Sequence, residues 1–157
     1  MAFLAWEAHI HAGARRQIAL LATAAGTTET GGLLLGWWES NTIHVRHVVE
    51  VIDPAATATS WTRDEARAAA ALSDALDRYE HPWLGYVGDW HTHPAPVGAS
   101  WTDRRSIRRA SRGYAEPLLL IVHRSDGTLD LASARRGLPV RVTEQVHSQT
   151  DTQQEIR

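Results

Sequence analysis

The chain has 157 residues, 43% of them hydrophobic, which is enough for one substantial core and too little for two. Its formal charge of -2 gives no global pull toward nucleic acid or anionic membrane, so any charged surface must be local. It contains no cysteine, which excludes disulfides and thiol nucleophiles and leaves His, Asp and Glu to build any transition-metal site. We therefore expect one domain over residues 1–147 and a polar, frayed tail over 148–157. The N-terminus has no basic segment leading a long apolar run, and no stretch approaches membrane-spanning length; the expectation is a soluble cytoplasmic protein.

In chain order, "FLAWEAHI" alternates loosely like a strand, and "AGARRQIALLATAAG" follows with helical apolar spacing and a closing Gly26. "GGLLLGWWE" reads as a buried strand, and "TIHVRHVVEVI" as a second strand after a turn at "SN". The Ala-rich "TRDEARAAAALSDALDRYE" predicts a long helix capped by Thr62 or Ser60. "WLGYVGDWHTH" is strand-like, "SWTDRRSIRRASRG" predicts a helix with Gly113 at its C-cap, and "PLLLIVHRSDGTLDLASAR" predicts a hairpin turning at Asp126-Gly127. Helices interleaved with strands and a hairpin imply a mixed α/β architecture.

His91 and His93 stand two apart on a strand, so both rings point to one face, about 6.6 Å apart along the backbone, and can reach inward to one ion. Spacing alone is a weak signal, because His9 and His11 have the same interval with nothing acidic close behind; that pair reads as surface or rim histidines. Asp103 gives the second pair a third donor, as a zinc site with one position open to water would need. "SWTD" is equally an N-terminal capping pattern, in which an acidic third residue is stable without metal, and Ser100 can either cap the helix or serve a reaction. Hydrolysis also needs a base to take a proton from water. Glu29 is the candidate, since it precedes a Gly-Gly that admits close backbone approach.

Taken together, "ETGGLLLG", "HTHP" and "SWTD" resemble the JAMM/MPN family of zinc isopeptidases, particularly its compact prokaryotic JAB-type members. The match runs from Glu29 to Asp103, roughly half of the chain. The resemblance implies a cytidine-deaminase-like α/β fold, a mixed β-sheet flanked by helices. It makes His91, His93 and Asp103 ligands of one Zn2+, Glu29 the general acid/base acting through the bound water, and Ser100 a hydrogen-bond donor to the developing oxyanion. It further implies a substrate amide bond after the C-terminal tail of a ubiquitin-like protein, held extended beside an exposed strand edge, with associated activating and conjugating enzymes as partners. Bacterial members of the family it resembles are associated with small ubiquitin-like conjugation systems, some of them in antiviral defence, and others release sulfur-carrier proteins. Six residues separate His93 from Ser100, one fewer than the usual pattern, with the small residues of "PAPVGAS" and the freedom of Gly98 available to absorb the difference. A loop that displaced Asp103 would leave a metal-free MPN-type binding scaffold, and a DNA-repair-associated JAMM-like protein is a second alternative.

Seven tryptophans are many for this length, and Trp37, Trp38, Trp61, Trp90 and Trp101 flank the motifs; core packing is expected for at least half, with Trp90 facing away from the histidines. Arg104, Arg105, Arg108, Arg109 and Arg112 make a basic helix face, by default solvated. All 16 basic residues are arginine, as GC-rich codon usage would produce. A chain without lysine side chains offers conjugating enzymes no ε-amino group. The wild type mixed with cognate conjugation enzymes should therefore gain no side-chain adduct by mass spectrometry, whereas Arg105→Lys/Arg109→Lys combined with Glu29→Gln should become modified.

Overall fold

The computed structural model describes residues 5–145; the frayed tail expected over 148–157 and the first residues of the opening strand lie outside the described residues. The elements are β1 (Trp6–Ile10), α1 (Ala12–Ala25), β2 (Gly31–Glu39), β3 (Thr42–Glu50), α2 (Glu65–Tyr79), β4 (Gly85–Thr92), α3 (Trp101–Ala110), β5 (Leu118–His123), β6 (Leu129–Arg135), β7 (Leu138–Val140) and β8 (Val142–Glu144). All eight strands form one mixed sheet in the order β7-β6-β5-β4-β2-β3-β1-β8. The β4/β5, β1/β3 and β1/β8 pairs are parallel and the rest antiparallel. The sheet flanked by helices is the fold class expected from the sequence.

Alternation along the strands sorts the apolar side chains onto two faces. Ala8, Ile10, Leu34, Ile43, Val45, Trp90, Leu119 and Ile121 pack with Ala14 and Ile18 of α1. On the other face Leu118, Leu120 and Val122 meet Ile107 of α3, and Leu33 and Val51 meet Ala68 of α2. Trp90 is fully buried on the α1 face, which turns its neighbour His91 toward α2 and α3.

The turns follow their residues. Ser40 and Asn41 both adopt positive φ, as a two-residue hairpin between β2 and β3 requires. At the β5/β6 hairpin, Gly127 has φ 85° and Asp126 accepts from the Thr128 amide at 2.9 Å. Two caps differ from expectation. Thr62 is held in the preceding loop because its amide donates to Asp53, so α2 starts after Asp64, whose carboxylate accepts from the Arg67 amide at 2.8 Å. The α-helical part of α3 stops at Ala110, short of Gly113: the Ser111 hydroxyl donates to the Arg108 carbonyl and accepts from the Gly137 amide, tightening the last turn into a 3-10 turn over Ser111–Gly113.

β7 and β8 occupy opposite ends of the pairing order, yet Arg141 alone separates them in sequence. The sheet therefore curls until its two edges lie side by side, and the Trp6 amide donates to the Arg141 carbonyl at that seam. None of the helices among the described residues is long and apolar enough to cross a membrane. At Gly32 an added Cβ would run into the backbone carbonyl of Val49, whereas at Gly113 it would meet nothing within 4 Å. Urea denaturation should thus show Gly32→Ala destabilised by about 1–3 kcal/mol. Gly113→Ala should be stabilised by about 0.4–1 kcal/mol, through the less flexible unfolded chain.

Candidate metal centre

The centre is assembled where β2 and β4 end. Gly31 lies opposite His91 in the antiparallel register. The pairing runs on past both strands, with the Thr92 amide donating to the Thr30 carbonyl at 2.8 Å and the Thr30 amide donating to the Thr92 hydroxyl at 3.0 Å. One further step along this register sets Glu29 against His93. Gly31 is required beneath the site, because a Cβ there would stand 2.9 Å from the His91 Cβ and 3.0 Å from the Trp61 ring. Here the expected close approach at Gly-Gly is realised.

The His91 and His93 Nε2 atoms are 3.2 Å apart. Asp103 approaches both, with Oδ1 3.2 Å from His91 Nε2 and Oδ2 3.4 Å from His93 Nε2. Two donors on a tetrahedral zinc at about 2.0–2.1 Å stand roughly 3.3 Å apart, so these three side chains have the separations that one ion demands. The tautomer also fits. His93 Nδ1 faces the Val97 carbonyl at 3.0 Å, an acceptor only, so Nδ1 carries the proton and the Nε2 lone pair points into the cluster. Two imidazoles and one carboxylate form a donor set suited to zinc.

Asp103 reaches the cluster from the first turn of α3, where it also completes a capping box. Its Oδ2 accepts from the Ser100 amide at 2.8 Å, and Ser100 Oγ accepts from the Asp103 amide at 3.1 Å. Cap and cluster, alternatives in the sequence, coexist. Burial raises the Asp103 pKa, but the hydrogen bond and charge of His91, with the bonds from Ser100, outweigh it and hold the carboxyl well below the usual range. Glu29 is 8% exposed and its Oε1 lies 3.9 Å from His93 Nε2. Its burial raises the carboxyl pKa, opposed in part by His91 and His93. Glu29, Trp61, His93, Val97, Ser100 and Asp103 line an open cleft of about 440 Å³.

The short loop before Ser100 leaves Asp103 in place. Asp130 of β6 accepts from the Ala99 amide at 2.7 Å and lies so close to Gly98 that a Cβ there would strike its carboxylate. Gly98 is needed for space; its φ is not positive. Sequence reasoning missed this anchor; Trp61, singled out there only as flanking the motifs, stacks its ring on His91 with centroids 6.3 Å apart. Arg63 was missed as well: it bonds Asp89 at 2.8 and 2.9 Å beside the cluster. Asp89 carried a usable signal, since it shares the strand face of His91 and His93.

A family profile for prokaryotic homologs of the JAB domain matches residues 11–136. The chain belongs to this family. A probable metalloprotease, y4qB, of Sinorhizobium fredii is 33% identical over 96 residues, covering 54% of this JAB-domain chain and 53% of that protein. The chain thus spans about half the length of this curated relative. The solution structure of protein DSY2949 from Desulfitobacterium hafniense shares the fold of the JAB-domain protein, with a TM-score of 0.62 at 15% identity over 91% of this chain and 96% of that one.

Metal analysis by mass spectrometry should find one zinc fewer per chain in His91→Ala and Asp103→Ala than in the wild type, while His9→Ala leaves this centre's ion in place. Asp103→Ala should also lose about 1 kcal/mol with its cap. Asp103→Asn, which keeps a capping oxygen, should lose zinc with less loss of stability.

Proposed function

We propose that this JAB-domain protein is a zinc-dependent peptidase that cleaves the amide bond after the C-terminal tail of a ubiquitin-like protein, either an isopeptide or a linear extension. The observation that carries this reading is the convergence of His91, His93 and Asp103 at ion-binding separations with the buried Glu29 carboxylate beside them. A bound zinc would supply Lewis-acid polarisation of the scissile carbonyl and a water of lowered pKa. Glu29 accepts the proton as the water oxygen attacks the carbonyl carbon, and its raised pKa suits it to hold that proton. The Ser100 hydroxyl receives the cap bond on its oxygen, and its O–H donates a hydrogen bond to the oxyanion without losing the proton. As the C–N bond breaks, Glu29 passes its proton to the leaving amine.

β2 and β4 are each paired on both sides, so a substrate tail does not extend the sheet at the site as an exposed strand edge would allow. The tail instead enters the cleft between the loop of Ser60 and Trp61 and the loop of Pro94 to Val97. Under this proposal the partners would be a ubiquitin-like protein with its activating and conjugating enzymes, and the chain would act in a bacterial conjugation system such as one of antiviral defence. The metal-free scaffold required a displaced Asp103, and Asp103 lies within 3.4 Å of both imidazoles.

Incubation with a ubiquitin-like protein carrying a C-terminal extension tests the proposal. Wild type should release the extension, and Glu29→Gln should keep zinc and partner binding while cleavage falls by roughly two or more orders of magnitude. Ser100→Ala should slow cleavage about a hundredfold. Near-normal cleavage by Glu29→Gln would place the base elsewhere.

A further inference from the structure

The fold brings a third histidine to the other His-x-His pair. His44 is the direct partner of His9 across β1 and β3, and His11, the residue after β1 and the N-cap of α1, stacks its ring on His9 with centroids 4.2 Å apart. Ala8, Ile10, Ile43 and Val45 fill the α1 face, so the three histidines stand on the opposite face, each half-buried. His44 Nδ1 lies 3.2 Å from His9 Nδ1 and 3.5 Å from His11 Nε2. One ring nitrogen from each of the three histidines lies within 4.8 Å of the others. Two imidazole nitrogens bound to one tetrahedral ion at about 2.0–2.1 Å are roughly 3.3 Å apart, close to the two distances from His44.

From this geometry we infer that His9, His11 and His44 form a second metal site, which binds a divalent late transition metal ion and ties β1 to β3. The donor set decides the class of ion: three neutral imidazoles suit zinc, nickel or copper, whereas magnesium and calcium require oxygen ligands. Glu39 Oε2 stands 3.9 Å from the remaining nitrogen of His44, beyond hydrogen-bond distance but near enough for its negative charge to favour a cation at the cluster. Trp37, paired with His44 across β2 and β3, stacks on its ring at 5.3 Å and 18°, fixing the ring plane. Gly31 to Trp37 is six residues of β2, so the two sites lie about 20 Å apart along the strands and bind independently.

The test separates the sites by disabling the first. The full chain carrying His91→Ala and His93→Ala, stripped with chelator and titrated with Zn2+ or Co2+, should bind one ion per chain, unaffected by excess Mg2+, with the absorption of low-coordinate Co2+. Adding His44→Ala should weaken that binding by roughly a hundredfold or more, as losing even an outer-shell partner costs 10–100-fold. His11→Gln, at the end of β1, gives a second variant should His44→Ala fail to fold, with circular dichroism to verify its structure. Wild-type crystals grown with zinc should show an anomalous peak between the three rings. Absence of an ion from the double variant overturns the site, and so does an ion that both His44→Ala and His11→Gln leave in place. A zinc-edge peak confined to the His91 centre overturns it equally.

Discussion

The antiparallel pairing of β2 with β4 is the constraint on which the metal centre depends. Thr30 and Thr92 prolong it by two hydrogen bonds beyond the regular strands. That extension places a carboxylate and an imidazole, distant in sequence, on the same rung, with an empty glycine position two rungs below on the same face. A slip of one residue would turn Glu29 and the two histidines to opposite faces of the sheet. Buried Leu33 and Leu34, packed on opposite faces, resist such a slip because it would exchange their environments.

The third donor arrives by different physics. Asp103 is held by the geometry of a helix start: one of its oxygens accepts from the Ser100 amide while both face imidazoles. The carboxylate is thus positioned before any ion arrives, and its low pKa keeps it charged. Asp130 holds the approach to this helix from β6, so the sheet anchors the chain directly before the cap. A preformed donor set lowers the ordering needed on binding.

Much of this was legible in the residues. The buried strand "GGLLLGWW", the Ala-rich helix, the Asp126-Gly127 hairpin and the cap at Ser100 each follow from local chemistry, and three motifs in order carried the family. The rest depended on pairing across the sheet. "LPV" and "VTE" are too short to show alternation, and Pro139 argued against a strand, although the edge strand β7 accommodates it. His44 looked unrelated to His9 because only the parallel register of β1 with β3 makes them neighbours. The caps misread at Thr62 and Gly113 were decided by Asp53 and Gly137, partners that no local pattern announces.

The seam at Arg141 bears on how the chain reaches its native state. β1 opens the described residues and β8 closes them, so their parallel pairing joins segments separated by nearly the whole domain. Closing so long a loop carries the largest entropic penalty of any pairing in the sheet, and only three residues of β8 repay it. The hairpins β2/β3 and β5/β6 have short turns and can form early. On loop length alone, the seam is expected to form last and its amides to open first. Completion of folding is thereby governed by residues 142–144, a strand that contributes nothing to the metal centre's donors.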